Sequence, residues 1–489
     1  MILAVDIGTT DFKAALFSAS GERLRAVSLP LAIDLSDGAR HETDPARWLR
    51  AFEECLFRLA PLSGVELLAI CGNGPSLTPV TGLPADRGEA LELPAGSARL
   101  WLDRRAQEEA AAVSALMGGF VDPGFFLPKA LFIKNREPEL YSRTKLFLSC
   151  PEYLSYALTG IPRTVFPSLG FDRWFWNAGI LDALGLDGEK FPPFVPPGSL
   201  IGPVLPGLAR HLGLTGPGEK REIPVAAAGP DFFAAILGAG ALEPGDACDR
   251  SGTSEGINLC TRNRISDPRL MSYGHPVKPY WNLSGIISTT GKALAWARDL
   301  LGYAGRPFKD FLSLAESARP GGGGLLFLPY LAGERAPLWD PRARGSFLGL
   351  NLSTGPAELA RAVAEGTCFA LRDVIAVMEE SVPLRNLRVT GRPGESAFLN
   401  QLKADITGKE ILVPSSLRDA ELAGAAALGA TALGLYPAPE QAVAALVKPG
   451  KICRPDPGKA PLYEGLFAEY RAAYRSLKEN FARLGGRSY

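Results

Sequence analysis

The sequence predicts an α/β protein made from a duplicated unit whose two copies face each other across a cleft. Three observations carry this prediction. The chain opens on an apolar strand, a glycine turn and a second apolar strand; helix-like and strand-like stretches then alternate; and the opening pattern returns half a chain length later.

Taken in order, residues 1–6 (MILAVD) form an apolar run closed by an acid, GTT follows, and 12–17 is apolar again. That is strand, tight turn, strand. Residues 44–59 carry apolar side chains at helical spacing, with Thr43 or Asp44 as the cap, and 65–70 reads as a buried strand. From 105 to about 158 the pattern is mostly helical, whereas 166–206 is crowded with Pro, Gly and aromatics and reads as irregular, the kind of insert that shapes a binding site. At Asp249, DRSGTSEGINLC echoes DIGTTDFKAALF from Asp6. The competing reading is two unrelated turns that coincide. Under the duplication, the boundary falls near residues 244–248, where ALEPGD supplies turn chemistry, giving domains 1–245 and 246–489.

Composition narrows the function. A chain of 489 residues is too long for one compact core and suits an enzyme with a cleft. Lys plus Arg and Asp plus Glu both number 52, so no net field draws the protein to nucleic acid or to an anionic membrane. The 46% hydrophobic and 21% charged content is that of a folded globular chain. Seven scattered cysteines without CxxC spacing fit buried thiols in a reducing, cytoplasmic compartment. Three histidines (His41, His211, His275), none spaced as a metal pair, weaken zinc-hydrolase and Ser-His-Asp readings. The first residues lack a basic signal region, and the most membrane-like stretches, 226–242 and 422–436, are too short to span a bilayer.

Several motifs carry chemistry. Gly8 permits close backbone approach, and the amides and hydroxyls of Thr9 and Thr10 can donate to phosphate oxygens, with Lys13 a further charge and Asp6 placed to hold a hydrated Mg²⁺. An ordinary hairpin turn explains the same residues. Gly252 and Thr253 repeat this chemistry in the second half, and two such loops could clamp a polyphosphate, which argues for a nucleotide. GIISTTGK at 285–292 is not a P-loop: five residues separate its glycines, and Ala293 stands where Ser or Thr would be needed. No GxGxxG follows a strand. Asp231, a single carboxylate among small and apolar residues, reads both as a helix N-cap and as an acceptor for the proton of an attacking hydroxyl. TGRPG at 390–394 with Ser396, Gln401 and Asp405 suggests strand, glycine loop and helix, and 424–430 reads first as close helix packing.

These motifs, in this order, resemble the FGGY carbohydrate kinases. The resemblance runs from DIGTT at Asp6 through Trp101-Leu102-Asp103-Arg104-Arg105 (the family's W-x-D-x-R), PEYLSYALTG, GPDFFAAILGAG, RSGTSEG, TTGKALAW and FLPYLAGERAPLWDPRARGSFLGL to the segment from Gly391 to Asp405. It implies a duplicated actin-like, RNase H-like fold around an interdomain cleft. Sugar would bind mainly to the N-terminal domain and ATP mainly to the C-terminal one, and the reaction would be Mg-ATP-dependent phosphorylation of a sugar or polyol. By the same resemblance, Asp231 matches the catalytic base, Asp6 helps position Mg²⁺, and Gly8, Thr9 and Thr10 meet the terminal phosphate. Gly252 and Thr253 form the second phosphate loop, Gly291 contacts nucleotide, and Gly394 and Ser396 pass the adenosine. Asn73, Gly74, Trp101, Asp103 and Phe232 fall around the sugar, and Glu334 and Arg335 read as links between domains. Family members are often dimers, so a homodimer is the expected assembly.

The sequence departs from the family in three places. The usual GGGA is Gly391-Arg392-Pro393-Gly394, the GQMHG of xylulose kinases is Gly72-Asn73-Gly74-Pro75-Ser76, and the Asn after the catalytic acid is Phe232. The last two changes remove polar partners from the sugar pocket and point to a less polar acceptor than xylulose, such as a deoxysugar or polyol derivative. The alternatives are xylulose kinase proper, a non-kinase actin-like ATPase and a catalytically silent sugar sensor. The aromatic run at 171–176 reads as core packing before it reads as a roof over the cleft.

Overall fold

The computed structural model describes residues 1–31, 38–82, 95–167, 169–172, 174–448 and 450–485. They form two units: Met1–Gly238 with Glu421–Val447, and Ala239–Ala420 with Lys448–Tyr489.

Each unit is built on one mixed sheet. In the first unit the strands lie in the order Arg23–Pro30, Asp11–Phe17, Ile2–Ile7, Leu67–Gly72, Pro224–Pro230, Ser199–Pro203. In the second the order is Met271–Gly274, Trp281–Ile287, Glu255–Thr261, Asp246–Ser251, Asn386–Thr390, Ile411–Val413, Lys451–Cys453. In both, the first strand of the glycine hairpin runs antiparallel to its hairpin partner and parallel to the strand on its other side. The echo between Asp6 and Asp249 is therefore a duplicated actin-like, RNase H-like unit. Ile2–Ile7 and Leu67–Gly72 are buried at every residue, which is why they read as continuous apolar runs instead of alternating ones.

The elements between the strands follow local chemistry. Helix Ala46–Leu59 buries Trp48, Phe52, Cys55, Leu56 and Leu59, a stripe at helical spacing. Asp44 supplies its cap, accepting the Ala46 N–H at 3.0 Å. The region from 105 to 158 is helical as expected, with the short strand Leu146–Leu148 inserted. PEYLSYALTG is helix Cys150–Thr159, opened by a capping box between Ser149 and Glu152 and closed by Gly160 at φ +73°. Residues 166–206 contain only short elements, and their aromatic rings pack on one another. Trp176 and Phe194 lie 4.9 Å apart, Phe166 and Phe175 5.2 Å. Phe175 and Trp176 of the aromatic run at 171–176 thus pack within this segment; Arg173 lies outside the described residues.

The observed units differ from a single cut at residue 245. The chain leaves the first unit after Gly238 and returns to it at Glu421. Small residues make the return possible: a Cβ on Gly424 would lie 1.9 Å from the Ala234 carbonyl oxygen, and one on Gly429 would lie 2.7 Å from Leu67 Cδ2 and 3.0 Å from Ala69 Cβ. The ALEPGD turn lies inside the second unit, where Gly245 at φ +96° leads into strand Asp246–Ser251.

Among the described residues no helix is long and apolar enough to cross a membrane. All seven cysteines are free.

Candidate active site

In the first hairpin, the Gly8 amide donates to the Asp11 carbonyl at 3.0 Å, so this glycine closes the turn. A Cβ there would sit 2.7 Å from that oxygen. Among the described residues the amides of Thr9 and Thr10 have no internal acceptor and are the donors left at the tip. Asp6, 2% exposed, ends the first strand directly across from Lys13. Lys13 Nζ lies 3.6 Å from Asp6 Oδ2 and 3.4 Å from Glu421 Oε2. Burial pushes the Asp6 carboxyl up to about 8; Lys13 opposes this, and the charges of Glu421 and Asp231 add to it. Burial works against the Lys13 charge too, but Glu421 and then Asp6 outweigh it, so its ammonium is held above the usual lysine range.

Asp231 opens helix Asp231–Gly238 immediately after strand Pro224–Pro230. Its Oδ1 accepts the Phe232 N–H at 2.6 Å, so it serves the helix start while staying within electrostatic reach of Asp6. Both readings of Asp231 are compatible with this placement. The half-buried ring of Phe232 lies 6.1 Å from Phe171, which in turn lies 5.1 Å from Trp174, and Trp174 stacks on Phe125 at 5.9 Å.

The expected sugar-side residues divide. Trp101 is half-buried and its Nε1 donates to Thr9 Oγ1 at 3.0 Å, tying the W-x-D-x-R segment to the hairpin tip. Asn73 is 2% exposed and gives both its backbone N–H and its Nδ2 to the Ile7 carbonyl at 2.8 Å, clamping the end of the first strand. Gly74, half-buried, precedes a cis peptide bond to Pro75. Asp103 has partners within the protein. One oxygen accepts the Arg105 N–H at 3.1 Å; the other accepts the His41 N–H at 3.2 Å and Arg105 Nη2 at 2.7 Å. Burial would raise this carboxyl, but Arg105 holds it below the usual range. Asp103 is an anchor for Arg105.

In the second unit, the Gly252 amide donates to the Ser254 carbonyl at 3.0 Å and leaves Thr253 exposed at the tip. The start of helix Gly291–Leu300 docks on this turn. The Lys292 N–H donates to the Thr253 carbonyl at 3.1 Å, and a Cβ on Gly291 would lie 2.1 Å from the Gly252 oxygen. From the other side comes Gly391, at φ +86°, where a Cβ would lie 2.0 Å from the Ser251 oxygen. The structure therefore brings Gly252, Thr253, Gly291 and the GRPG loop together. Position 391 needs glycine for its φ, and at 394 a Cβ would lie 2.6 Å from Leu417 Cδ1; Arg392 and Pro393 sit in the 3₁₀ turn Arg392–Glu395, which accepts side chains. GRPG thus keeps the turn. Ser396 is the N-cap of helix Ala397–Thr407, its side chain accepting the Leu399 N–H at 3.2 Å. Glu334 joins segments of its own unit, accepting the amides of Ser288 at 2.7 Å and Arg335 at 2.8 Å.

Three charged residues escaped the sequence reading. Glu421 holds Lys13. Lys129, fully buried, donates to the Pro75 carbonyl at 2.7 Å and the Arg99 carbonyl at 3.4 Å, and its signal was a lone lysine inside the apolar run FFLPKALFI. Lys403 lies beneath the second hairpin. Among the described residues no group of three or more His, Cys, Asp or Glu could hold a metal ion.

Two units that share the same arrangement of strands around a glycine hairpin, each hairpin strand antiparallel to its partner and parallel to the strand on its other side, define a phosphate-handling protein of the actin-like class. Residues 1–238 match the N-terminal domain, and 250–433 the C-terminal domain, of the FGGY family of carbohydrate kinases, and the chain belongs to that family. It is 29% identical to the xylulose kinase of Staphylococcus epidermidis over 99% of this chain and 98% of that one. Among solved structures it is similar to a ligand-bound xylulose kinase from Lactobacillus acidophilus, with TM-score 0.85, 27% identity and 99% of each chain covered. A gluconate kinase from the same organism gives the same TM-score, identity and coverage. The protein is an ATP-dependent sugar kinase.

Proposed function

We propose that Asp231 is the general base for phosphorylation of a sugar or polyol that presents a less polar face than xylulose. The observation that carries the base is a carboxylate at a helix start, within electrostatic reach of Asp6 and followed by an aromatic wall. As the acceptor hydroxyl attacks the γ-phosphorus, its proton passes to Asp231, the new O–P bond forms, and the bond to the β-phosphate oxygen breaks to release ADP. In the first unit the Thr9 and Thr10 amides and Lys13 would bind phosphate oxygens; in the second the Gly252–Thr253 turn would do so, with Gly291 keeping a helix start beside it. Sugar would bind mainly to the first unit and nucleotide mainly to the second, Gly394 and Ser396 lying on the adenosine side.

Mg²⁺ fits the carboxylates of the first unit. Asp6 offers hard oxygen donors, and the nearby charges of Glu421 and Asp231, which raise its carboxyl, are ones a cation there would offset. The ion would neutralise phosphate charge, with Asp6 as its protein partner. Free thiols at all seven cysteines support a reducing compartment, the cytoplasm.

For the acceptor, the chain of rings from Phe232 through Phe171 and Trp174 to Phe125 supports an apolar wall, and Trp101 faces the hairpin tip. Among the sugar-side residues Gly74 lines the pocket by its backbone, and Asn73 and Asp103 act through the segments they anchor. The test is ADP release from Mg-ATP against ketoses, deoxysugars, polyols and sugar acids, with Asp231→Asn in parallel. The variant should lose orders of magnitude in kcat and still bind nucleotide; near-normal turnover would remove the base assignment. D-xylulose as the best acceptor by far would overturn the substrate reading and leave the kinase intact.

A further inference from the structure

Beneath the second hairpin lies a sealed cluster of charge. Lys403 reaches up from helix Ala397–Thr407 and places Nζ 2.5 Å from Asp249 Oδ2, 2.7 Å from Ser251 Oγ and 2.5 Å from Glu255 Oε1. Asp249 and Ser251 belong to one leg of the hairpin and Glu255 opens the other, so a single ammonium bridges both legs just below Gly252, Thr253 and Ser254. All four side chains are buried.

The hydrogen atoms in this cluster can be counted. Ser251 Oγ has three partners: Lys403 Nζ at 2.7 Å, Asp249 Oδ1 at 2.9 Å and Glu255 Oε1 at 3.0 Å. The ammonium must donate to it, and the hydroxyl has one hydrogen, enough for one carboxylate. The third contact is a hydrogen bond only if the other carboxyl carries a proton and donates it. Charge leads to the same count, because two carboxylates face one ammonium where water does not reach, and a buried excess charge is costly.

We propose that Lys403 positions the Gly252–Ser254 loop and that the cluster holds one shared proton, whose loss weakens nucleotide binding. The inference rests on the reading of this loop as a phosphate site. With the proton in place, both hairpin legs are tied to Lys403 and the cluster is neutral. Without it, Ser251 loses a partner and a net negative charge lies under the turn that would meet a polyphosphate. Asp249 is the holder. Burial, with the Glu255 charge added, pushes its carboxyl up to about 8, whereas Lys403 outweighs burial at Glu255 and keeps that carboxyl low. The other facing groups do not take over this role. Cys368, from helix Pro356–Glu379, has its thiol pushed up to about 12 by burial, and Arg250 alternates to the other face of its strand, its guanidinium 2.7 Å from where a Gly256 Cβ would lie.

The test uses the full chain and the nonhydrolysable nucleotide AMP-PNP with Mg²⁺, its Kd measured at pH 7 and pH 9 by calorimetry. Wild type should bind roughly tenfold more weakly at pH 9, the factor for loss of one proton a pH unit above its pKa. Asp249→Asn keeps a permanent donor toward Ser251 and an acceptor toward Lys403, so its Kd should be the same at both pH values. Lys403→Met should weaken binding at least tenfold at pH 7; if it does not fold, Asp249→Asn alone decides. A flat wild-type profile, or a pH-dependent rise that persists in Asp249→Asn and so belongs to another group such as Asp6, overturns the proposal. Thr253→Ala separates the two failures: if it leaves Kd unchanged at both pH values, the loop is not a phosphate site and the underlying reading fails first.

Discussion

The Trp101 indole N–H donates to the Thr9 hydroxyl at 3.0 Å, joining the W-x-D-x-R segment to the tip of the first hairpin across 92 positions of sequence. The bond gives Trp101 a purpose beyond ring contact. Whatever orients the indole also orients the hydroxyl at the tip of the first loop.

Trp101→Phe keeps the aromatic surface and removes that one donor. We expect kcat/KM for the acceptor to fall about tenfold, in line with about 1–1.5 kcal/mol for a lost neutral hydrogen bond. Steady-state kinetics with both substrates varied would check it. A variant indistinguishable from wild type would show the bond to be incidental.

The GRPG loop allows a paired comparison. Gly391→Ala meets both a positive φ and the Ser251 carbonyl 2.0 Å away, so thermal unfolding should shift down by several degrees and nucleotide affinity should fall. Arg392→Gly meets neither constraint and should stay within a degree or two of wild type.

Lys129 staples the Pro75 segment to the Arg99 strand end. Burial drives its amine well below the usual lysine range, and a neutral amine has two N–H groups for these two carbonyls. Lys129→Met should raise the acceptor KM severalfold and leave the ATP KM unchanged. Equal effects on both would mean general loosening of the unit.

His275 sets an acid limit on stability. Burial pushes its imidazole down to about 4, and its Nδ1 accepts the Val277 N–H at 3.0 Å, which requires the neutral ring. The unfolded chain takes up this proton near pH 6.5 and the folded chain only near 4, so stability is intact above 6.5 and is lost progressively as pH falls between those values, by about 3 kcal/mol at most. Denaturant titrations at pH 7 and pH 5 should show this loss, and His275→Asn should reduce it.

Much of the fold was legible because its cues are local. The apolar run before Asp6, the glycine turn and the echo at Asp249 require only neighbours in sequence, and Asp231 stood out because it is a carboxylate among alanines and phenylalanines. Burial of a partner many residues away leaves no such mark. Nothing beside Asp103 in sequence shows that the His41 amide also reaches it. Lys403 carries no signal in the sequence, since nothing near it shows that Asp249 and Glu255 lie above it. The return at Glu421 was missed for the same reason: the alanine-rich helix announced close packing and gave no hint of which sheet it would pack on.

That return also governs how the protein can be made. The first unit is translated in two instalments, and the ribosome must pass Val447 before the helix carrying Gly424 and Gly429 is available to cover Leu67 and Ala69. Until then the nascent first unit has an apolar face waiting for chain that has not been synthesised, a state that favours capture by chaperones or aggregation. A fragment ending at residue 238 would be left in that state permanently, whereas a rearranged chain in which 421–447 follows residue 238 would give the ribosome an uninterrupted domain.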